Sequence, residues 1–292
     1  MSSSNRADVR DFLVTRRARI TPQQAGLAFY GGNRRVPGLR REEVAMLAGV
    51  SADYYTRLEK GNLTGVSDTV LDAIASALQL DEAERLHLTD LARAANTSPA
   101  RAARRNVPQR VRPGIRLILD GMADTPAFIR NGRLDILAVN TLGRALYSPV
   151  FTSHGGTPNL ARFRFFDPAA RQFYPDFADS AHTTVELLRT EAGRDPFNPS
   201  LTGLIGELST RSEDFRALWA AHNVRLHRTG IKHFNHPAVG RLDLMFEAMA
   251  LEADEGLTLT AYTAEPGTPS HDGLKLLASW AATHQGEDIK AS

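Results

Sequence analysis

The chain of 292 residues contains no cysteine. Disulfides, thiolate zinc sites, iron–sulfur clusters and cysteine nucleophiles are therefore excluded. No apolar run approaches the ~18–20 residues that a membrane-spanning helix needs, and Met1 to Phe12 is too polar for a secretory leader. A cytoplasmic chain with no membrane partner is expected. Motifs of several large enzyme classes are missing too: there is no P-loop, no GxGxxG fingerprint, and no GxSxG elbow to accompany the loop Ser153-His154-Gly155-Gly156. His222, His227, His233 and His236 lie close together, but without HExxH or HxH spacing they do not make a metal site. No metal, cofactor or catalytic residue is expected, and no internal repeat is present.

What remains is an ordinary globular composition, 42% apolar and 23% charged, able to bury a sizeable core. The length exceeds the ~100–200 residues of one domain, so two are expected. The formal net charge of +2 hides an asymmetry: residues 1–112 hold 18 Lys+Arg against 12 Asp+Glu, and the remainder holds 17 against 21. The first part suits a polyanion partner. Arginine far outnumbers lysine, which genomic base composition explains without any preference for phosphate.

Along the chain, Asp8 to Arg19 reads as a helix and Ile20 to Gly38 as a Gly- and Pro-containing loop. Short helical patterns follow at Leu39 to Ala48, Ala52 to Lys60, Asp68 to Leu80 behind a Ser67 cap, and from the Asp81 cap to about Ala95. Residues 1–95 thus form an all-α domain, residues 96–112 an Arg- and Pro-containing linker, and residues 113–292 a second domain. The latter mixes strand-like runs (Ala127 to Arg130, Leu134 to Val139, Val224 to His227, Leu242 to Met249, Leu257 to Thr263) with helical ones (Ala181 to Ala192, Leu201 to Thr210, His271 to Ala282). That alternation indicates an α+β domain with a mostly antiparallel sheet.

Leu39 to Gly61, LRREEVAMLAGVSADYYTRLEKG, has the spacing of a helix-turn-helix. Val44, Leu47 and Ala48 form the inner face of its first helix, and Ala52, Tyr55 and Leu58 recur three apart on the second. The other face of the second helix presents Asp53, Thr56, Arg57 and Lys60 at i, i+3, i+4 and i+7, behind Ser51 as N-cap. Arg40 and Arg41 stand where the helix dipole disfavours cations by roughly 0.3–1 kcal/mol each, partly offset by Glu42 and Glu43. A phosphate would reward them. The same spacing would also serve a helical hairpin with a solvated polar face.

The stretch RRVPGLRREEVAMLAGVSADYYTRLEKG, followed by VLDAIASALQLDEAERLHLTDLA, resembles the helix-turn-helix of the XRE superfamily, in particular its MmyB-like branch. FIRNGRLDILAVN, NLARFRFFDPAARQFYPDF, LRTEAGRDPFNP, DFRALWAAHNV, HPAVGRLDL and YTAEPGTPS resemble, in the same order, that branch's PAS-like ligand-binding domain. The resemblance covers nearly the whole chain. It implies an all-α, lambda-repressor-like DNA reader joined to an α+β PAS-like sensor, acting as a transcription regulator and not as an enzyme. It also departs from the branch: Asn62, Leu63, Thr64, Gly65 and Val66 replace the usual Arg-Gly and proline, Val139 a tryptophan, and Phe177 an aromatic position often filled by tryptophan.

Within the reader, Ala52, Asp53, Thr56 and Arg57 are the candidates for base edges, with Ser51 as cap, and Arg34, Arg35, Arg40, Arg41 and Lys60 for phosphates. Tyr54 suits either role. Glu59, facing away from the stripe, is expected to pair with an arginine of the first helix such as Arg16. In the second domain Phe151, Phe163, Phe165, Phe166, Phe173, Tyr174 and Phe177 crowd one stretch, either as core or as the lining of an apolar pocket. Arg162, Arg164, Arg171 and Asn140 are the groups that could anchor a carboxylate or carbonyl there, and Trp219, His222 and His236 could touch the same ligand. His236-Pro237 alternatively shapes a turn or the start of a strand. The expected partners are double-stranded DNA with a palindromic operator, a fatty-acyl-like or aromatic acid effector, and a second copy of the chain. The alternatives are a C-terminal domain that only dimerises, or one that is an enzyme.

Overall fold

The computed structural model describes residues 3–27, 36–96, 109–152, 156–221 and 228–290. Two compact units emerge: residues 1–107 with 189–203 and 219–226, and residues 108–188 with 204–218 and 227–292.

The first unit holds five helices, α1 (Ser3–Arg19), α2 (Arg41–Leu47), α3 (Ala52–Glu59), α4 (Asp68–Ala77) and α5 (Glu82–Asn96). Local signals set most of their ends. Ser51 Oγ accepts from Tyr54 N at 3.1 Å, Ser67 Oγ from Val70 N at 3.4 Å, and Asp81 Oδ1 from Glu84 N at 2.8 Å. Each satisfies an amide that the helix leaves unpaired. Between α2 and α3, Gly49 takes φ +66° and Val50 N closes on Ala45 O at 2.9 Å. This turn requires a left-handed residue, and glycine adopts it without strain. α1 begins five residues before the expected Asp8, with Asn5 fully buried in its first turn. Val9, Phe12, Leu13, Leu39, Val44, Tyr55, Leu58, Ile74 and Leu88 meet in one core. The inner face of α2 is Val44 with Ala45 and Ala48, whereas Leu47, expected inside, is exposed.

Residues 189–203 pack within this first unit. A Cβ on Gly193 would lie 2.6 Å from the His87 ring, which itself meets Phe12 edge-on at 5.0 Å. Only a residue without a side chain fits there. Arg189 donates to the Trp219 carbonyl and lies 4.1 Å over the Trp219 ring. Burial lowers its guanidinium to about 10, against the opposing charge of Asp8.

The second unit is built on an antiparallel sheet of β1 (Ala127–Arg130), β2 (Ile136–Val139), β3 (Thr229–His236), β4 (Gly240–Ala250) and β5 (Thr258–Thr263), in the order β2-β1-β5-β4-β3. β3 pairs with β4 from Thr229↔Glu247 to His236↔Gly240. Along β3, Lys232, Phe234 and His236 fall on one face by the two-residue period, and Phe234 and His236 are buried. Helices α6 (Pro113–Gly121), α7 (Thr141–Leu146), α8 (Ser148–Thr152), α9 (Leu160–Phe166), α10 (Ala169–Phe173) and α14 (Pro269–Lys290) belong to this unit. α11 (Phe177–Arg194), α12 (Pro199–Arg211) and α13 (Glu213–Ala220) carry the chain between the two. Pro113, where the second domain is expected to begin, opens α6 at its first position, where its missing N–H costs nothing. Most of the expected linker and the run Val224 to His227 lie outside the described residues.

Candidate functional site

The Ser51 cap fixes the rotation of α3. Tyr55, Leu58 and Glu59 face inward, Asp53, Arg57 and Lys60 are exposed, and Ala52, Tyr54 and Thr56 are half-buried. The stripe of Asp53, Thr56, Arg57 and Lys60 therefore lies on one open face. Together with Arg6 and Asn62 it lines a depression of about 450 Å³. The Arg57 guanidinium sits 4.8 Å from the centroid of the Tyr54 ring, which holds it at the rim as a cation–π pair. Arg6 was hidden from any reading of spacing, because it arrives through a tertiary contact. Gly61, at φ +91°, brings the chain so near α1 that a Cβ would stand 2.4 Å from the Arg6 carbonyl oxygen. Asn62, one of the positions departing from the branch pattern, also reaches this depression.

Behind the stripe, the Glu59 carboxylate is 1% exposed and holds two arginines. Arg17 donates through Nε at 2.8 Å and Nη2 at 3.2 Å, and Arg41 through Nε at 2.9 Å. Arg17 also donates to the Leu39 carbonyl at 2.8 Å. The expected partner Arg16 is instead paired with Glu84 at 2.7 Å. Successive helical residues point about 100° apart, so only one of the two can face α3. Arg41, expected at a phosphate, has its Nε committed to Glu59. Arg40 is exposed, and its backbone N–H donates to Glu43 at 2.6 Å. Arg34 and Arg35 lie outside the described residues.

In the second unit the aromatics are chiefly core. Phe128, Tyr147, Phe163, Phe173, Tyr174, Phe234 and Tyr262 are buried and meet mostly edge-on. Phe151 and Phe166 are half-buried beneath Arg144 and Arg211, and Phe177 beneath Arg171. Several expected anchors are already engaged. Asn140 Oδ1 accepts from Ala127 N and Gly143 N, while its Nδ2 donates to Met122 O and Thr125 O. With both lone pairs and both N–H groups used, Asn140 has nothing left for a ligand. Arg162 pairs with Glu207 at 2.8 Å and Arg171 with Asp214 at 2.6 Å. Trp219 falls in the first unit, and His222 lies outside the described residues. Arg164, in contrast, is 4% exposed and keeps two buried N–H donors without partners.

His236 ends β3, as the expectation of a turn at His236-Pro237 allows. Its Nε2–H donates to Ala145 O at 3.0 Å and its Nδ1 accepts from Ala238 N at 3.2 Å. Both ring nitrogens are thus spent on the fold, and not on a ligand. Burial, opposed by the Ala145 hydrogen bond, holds its pKa below the ordinary 6.5. The unfolded chain then takes up the proton first. The contribution of the neutral ring is complete above pH 6.5 and is lost as pH falls below it toward the folded value. Urea midpoints at about pH 7.5 and about pH 5.5 should diverge in the native chain and diverge less in His236→Gln, which keeps a donor and an acceptor but does not titrate. An unchanged difference would place the acid sensitivity elsewhere.

Among the described residues no group of three His, Asp or Glu could hold a metal ion, and no helix is long and apolar enough to cross a membrane. Residues 14–88 match the family described as Helix-turn-helix domain. That match and the open stripe on α3 define a DNA-binding transcription regulator. Residues 111–277, more than half the chain, match the MmyB-like transcription regulator ligand binding domain. The chain belongs to the MmyB-like transcription regulators. No curated protein matches it.

Proposed function

We propose that this regulator reads a two-fold-symmetric operator as a homodimer, and that a small effector with a largely apolar body, an acyl or aromatic acid, changes its DNA affinity from the C-terminal domain. The observation that carries this is the stripe of Asp53, Thr56, Arg57 and Lys60, left open on a helix whose opposite face is locked, in one chain with a ligand-binding domain. Ala52, Asp53, Thr56 and Arg57 read base edges, Arg40, Lys60 and Arg6 meet phosphates, and Tyr54 steadies Arg57. Arg34 and Arg35 keep the phosphate role drawn from the sequence. Arg41 acts through Glu59. The chain binds and does not catalyse. The strand order 2-1-5-4-3 supports a PAS-like sensor. Ile231 and Met245, exposed cross-strand neighbours, support a second copy of the chain as partner.

Coupling between the two functions has a physical route in this scheme. Residues 189–203 fall inside the matched ligand-binding family, yet they cluster with the reader helices around His87 and Gly193. An effector that shifts the population of this packing changes the presentation of α3, provided it binds the two states unequally.

Binding of native chain and single variants to operator and random DNA tests the assignments. Arg57→Ala should cost ~1–3 kcal/mol on the operator and much less on random DNA. Lys60→Ala and Arg6→Ala should weaken both alike, each reducing the slope of log K against log salt by about 1. Equal losses on both DNAs for Arg57→Ala would move it to a phosphate.

A further inference from the structure

The depression on α3 is lined by three cations, Arg6, Arg57 and Lys60, and by one carboxylate, that of Asp53. Asp53 and Arg57 stand four residues apart on the helix, the spacing at which two such side chains ordinarily pair. They do not pair here. The Arg57 guanidinium lies over the Tyr54 ring instead, 4.8 Å from its centroid. Among the described residues the exposed Asp53 side chain makes no hydrogen bond or ion pair, whereas Glu59 of the same helix holds Arg17 and Arg41, and Glu84 holds Arg16. The helix dipole alone accounts for an acid in a first turn. It does not account for an arginine one turn away that is drawn off to a ring. On a surface that meets DNA an unpaired carboxylate is repelled by phosphates and lowers affinity, so its use must lie with the bases.

We propose that Asp53 selects a cytosine by accepting from its exocyclic amino group, that it serves discrimination and not affinity, and that Tyr54 keeps Arg57 from neutralising it. The inference rests on the base-reading assignment above and adds the base that this side chain reads. A carboxylate only accepts hydrogen bonds. In the major groove the donors are cytosine N4 and adenine N6, and adenine sets its acceptor N7 beside the amino group, where it repels a second acceptor. Cytosine has no such acceptor at that edge, and guanine and thymine offer a carboxylate none of these donors. Arg57, free of Asp53, keeps its guanidinium for the N7 and O6 of a guanine. Four residues advance about 6 Å along a helix, close to two base steps of ~3.4 Å, so the two readings fall on neighbouring base pairs.

Duplexes enriched from a randomised library by the full native chain supply the probes. One G·C pair should then appear whose exchange costs the native chain about ten-fold in Kd and costs Asp53→Ala less than about two-fold. N4-methylcytosine at that pair, which replaces the amino hydrogen facing the groove, should weaken the native chain about ten-fold and leave Asp53→Ala unaffected. On random duplexes Asp53→Ala should bind more tightly than the native chain, with no shallower slope of log K against log salt, because no phosphate contact is lost. Tyr54→Leu, which keeps apolar contact with the reader core but no ring, should lower the preferences owed to Asp53 and to Arg57 together. Adding Asp53→Ala to it should restore the Arg57 preference, and Tyr54→Phe should keep both. A base profile unchanged by Asp53→Ala, an Asp53-dependent A·T pair, or equal losses on enriched and random duplexes would overturn the cytosine reading and leave Arg57 as assigned. Both preferences surviving in Tyr54→Leu would overturn the positioning role of Tyr54. Where that variant does not fold, the ring-current shift of the Arg57 side-chain signals in the native chain gives the reading, and signals at their ordinary positions would overturn the role. A native chain that enriches no sequence would remove the base-reading assignment together with this inference.

Discussion

Glu59→Ala is expected to destabilise the first unit by about 3 kcal/mol and to abolish operator binding with it. The carboxylate is buried and lies between Arg17 of α1 and Arg41 of α2, so a residue of the recognition helix is the tie among three helices. Removing one member of a buried pair costs more than the pair contributes, because the remaining charge stays without a partner. Arg17 is 15% exposed and Arg41 50%. Partial solvation of the stranded cations places the cost at the lower end of the ~3–5 kcal/mol usual for such deletions. For a unit of this size that is a fall in Tm on the order of 15 °C. Glu59→Gln, which keeps the volume and two hydrogen-bonding positions, should fall between native and alanine. Circular dichroism melts would settle the order. A loss below about 1 kcal/mol in the alanine variant would mean that the ion pairs behave as surface pairs, and that Tyr55 and Leu58 hold α3 by packing alone.

The reader was the legible part of the sequence because its signals are short-range. Ser51, Ser67 and Asp81 cap helices where a hydroxyl or carboxylate precedes an apolar repeat, and Tyr55 and Leu58 are buried as their spacing requires. β1 was legible to the residue, from Ala127 to Arg130. Errors arose where one step of rotation or a distant contact decides. Arg16 and Arg17 differ by one position, and only the packed helix shows that Arg17 reaches Glu59. Leu47 turns outward and Ala45 is buried in its place for the same reason. Arg6 joins the α3 depression through the Gly61 approach, which leaves no periodic trace. β3 escaped because Lys232 interrupts the inward apolar alternation of TGIKHFNH. α9 escaped because LARFRFF is apolar around most of its circumference and so lacks a period.

The polar candidates for the effector site divide by how far the fold itself uses them. Composition identifies polar side chains inside an aromatic segment but does not show which have spent their hydrogen bonds. Asn140 and His236 are saturated by backbone partners, and Arg162 and Arg171 are neutralised by carboxylates, whereas Arg164, of the same residue type and two positions from Arg162, is neither. A polar group available to a ligand is one the fold leaves unsatisfied, and that is a property of packing.

Asn140→Ala should therefore destabilise the second unit by about 3–5 kcal/mol. Four hydrogen bonds of 2.7 to 3.0 Å meet at one amide that is 4% exposed. They join the N-terminus of α7, the first residue of β1 and the two carbonyls that follow α6. Alanine removes the α7 cap, worth ~1 kcal/mol. It also strands the amide of Ala127, a residue with no exposure, and two carbonyls besides, at ~1–3 kcal/mol for each group that water cannot reach. No larger side chain can fill the gap from the neighbouring turn, since a Cβ on Gly143 would stand 2.5 Å from the Ala127 carbonyl oxygen. Asn140→Asp provides the control. Its carboxylate still accepts from Ala127 and Gly143 but faces the Met122 and Thr125 carbonyls with no donor, so it should cost nearly as much as alanine. Urea unfolding gives the midpoints, with unchanged m values showing that stability and not the unfolded state has moved. If Asn140→Ala kept the native midpoint, its four hydrogen bonds would be dispensable to the fold and Asn140 would return to the candidates for the effector site.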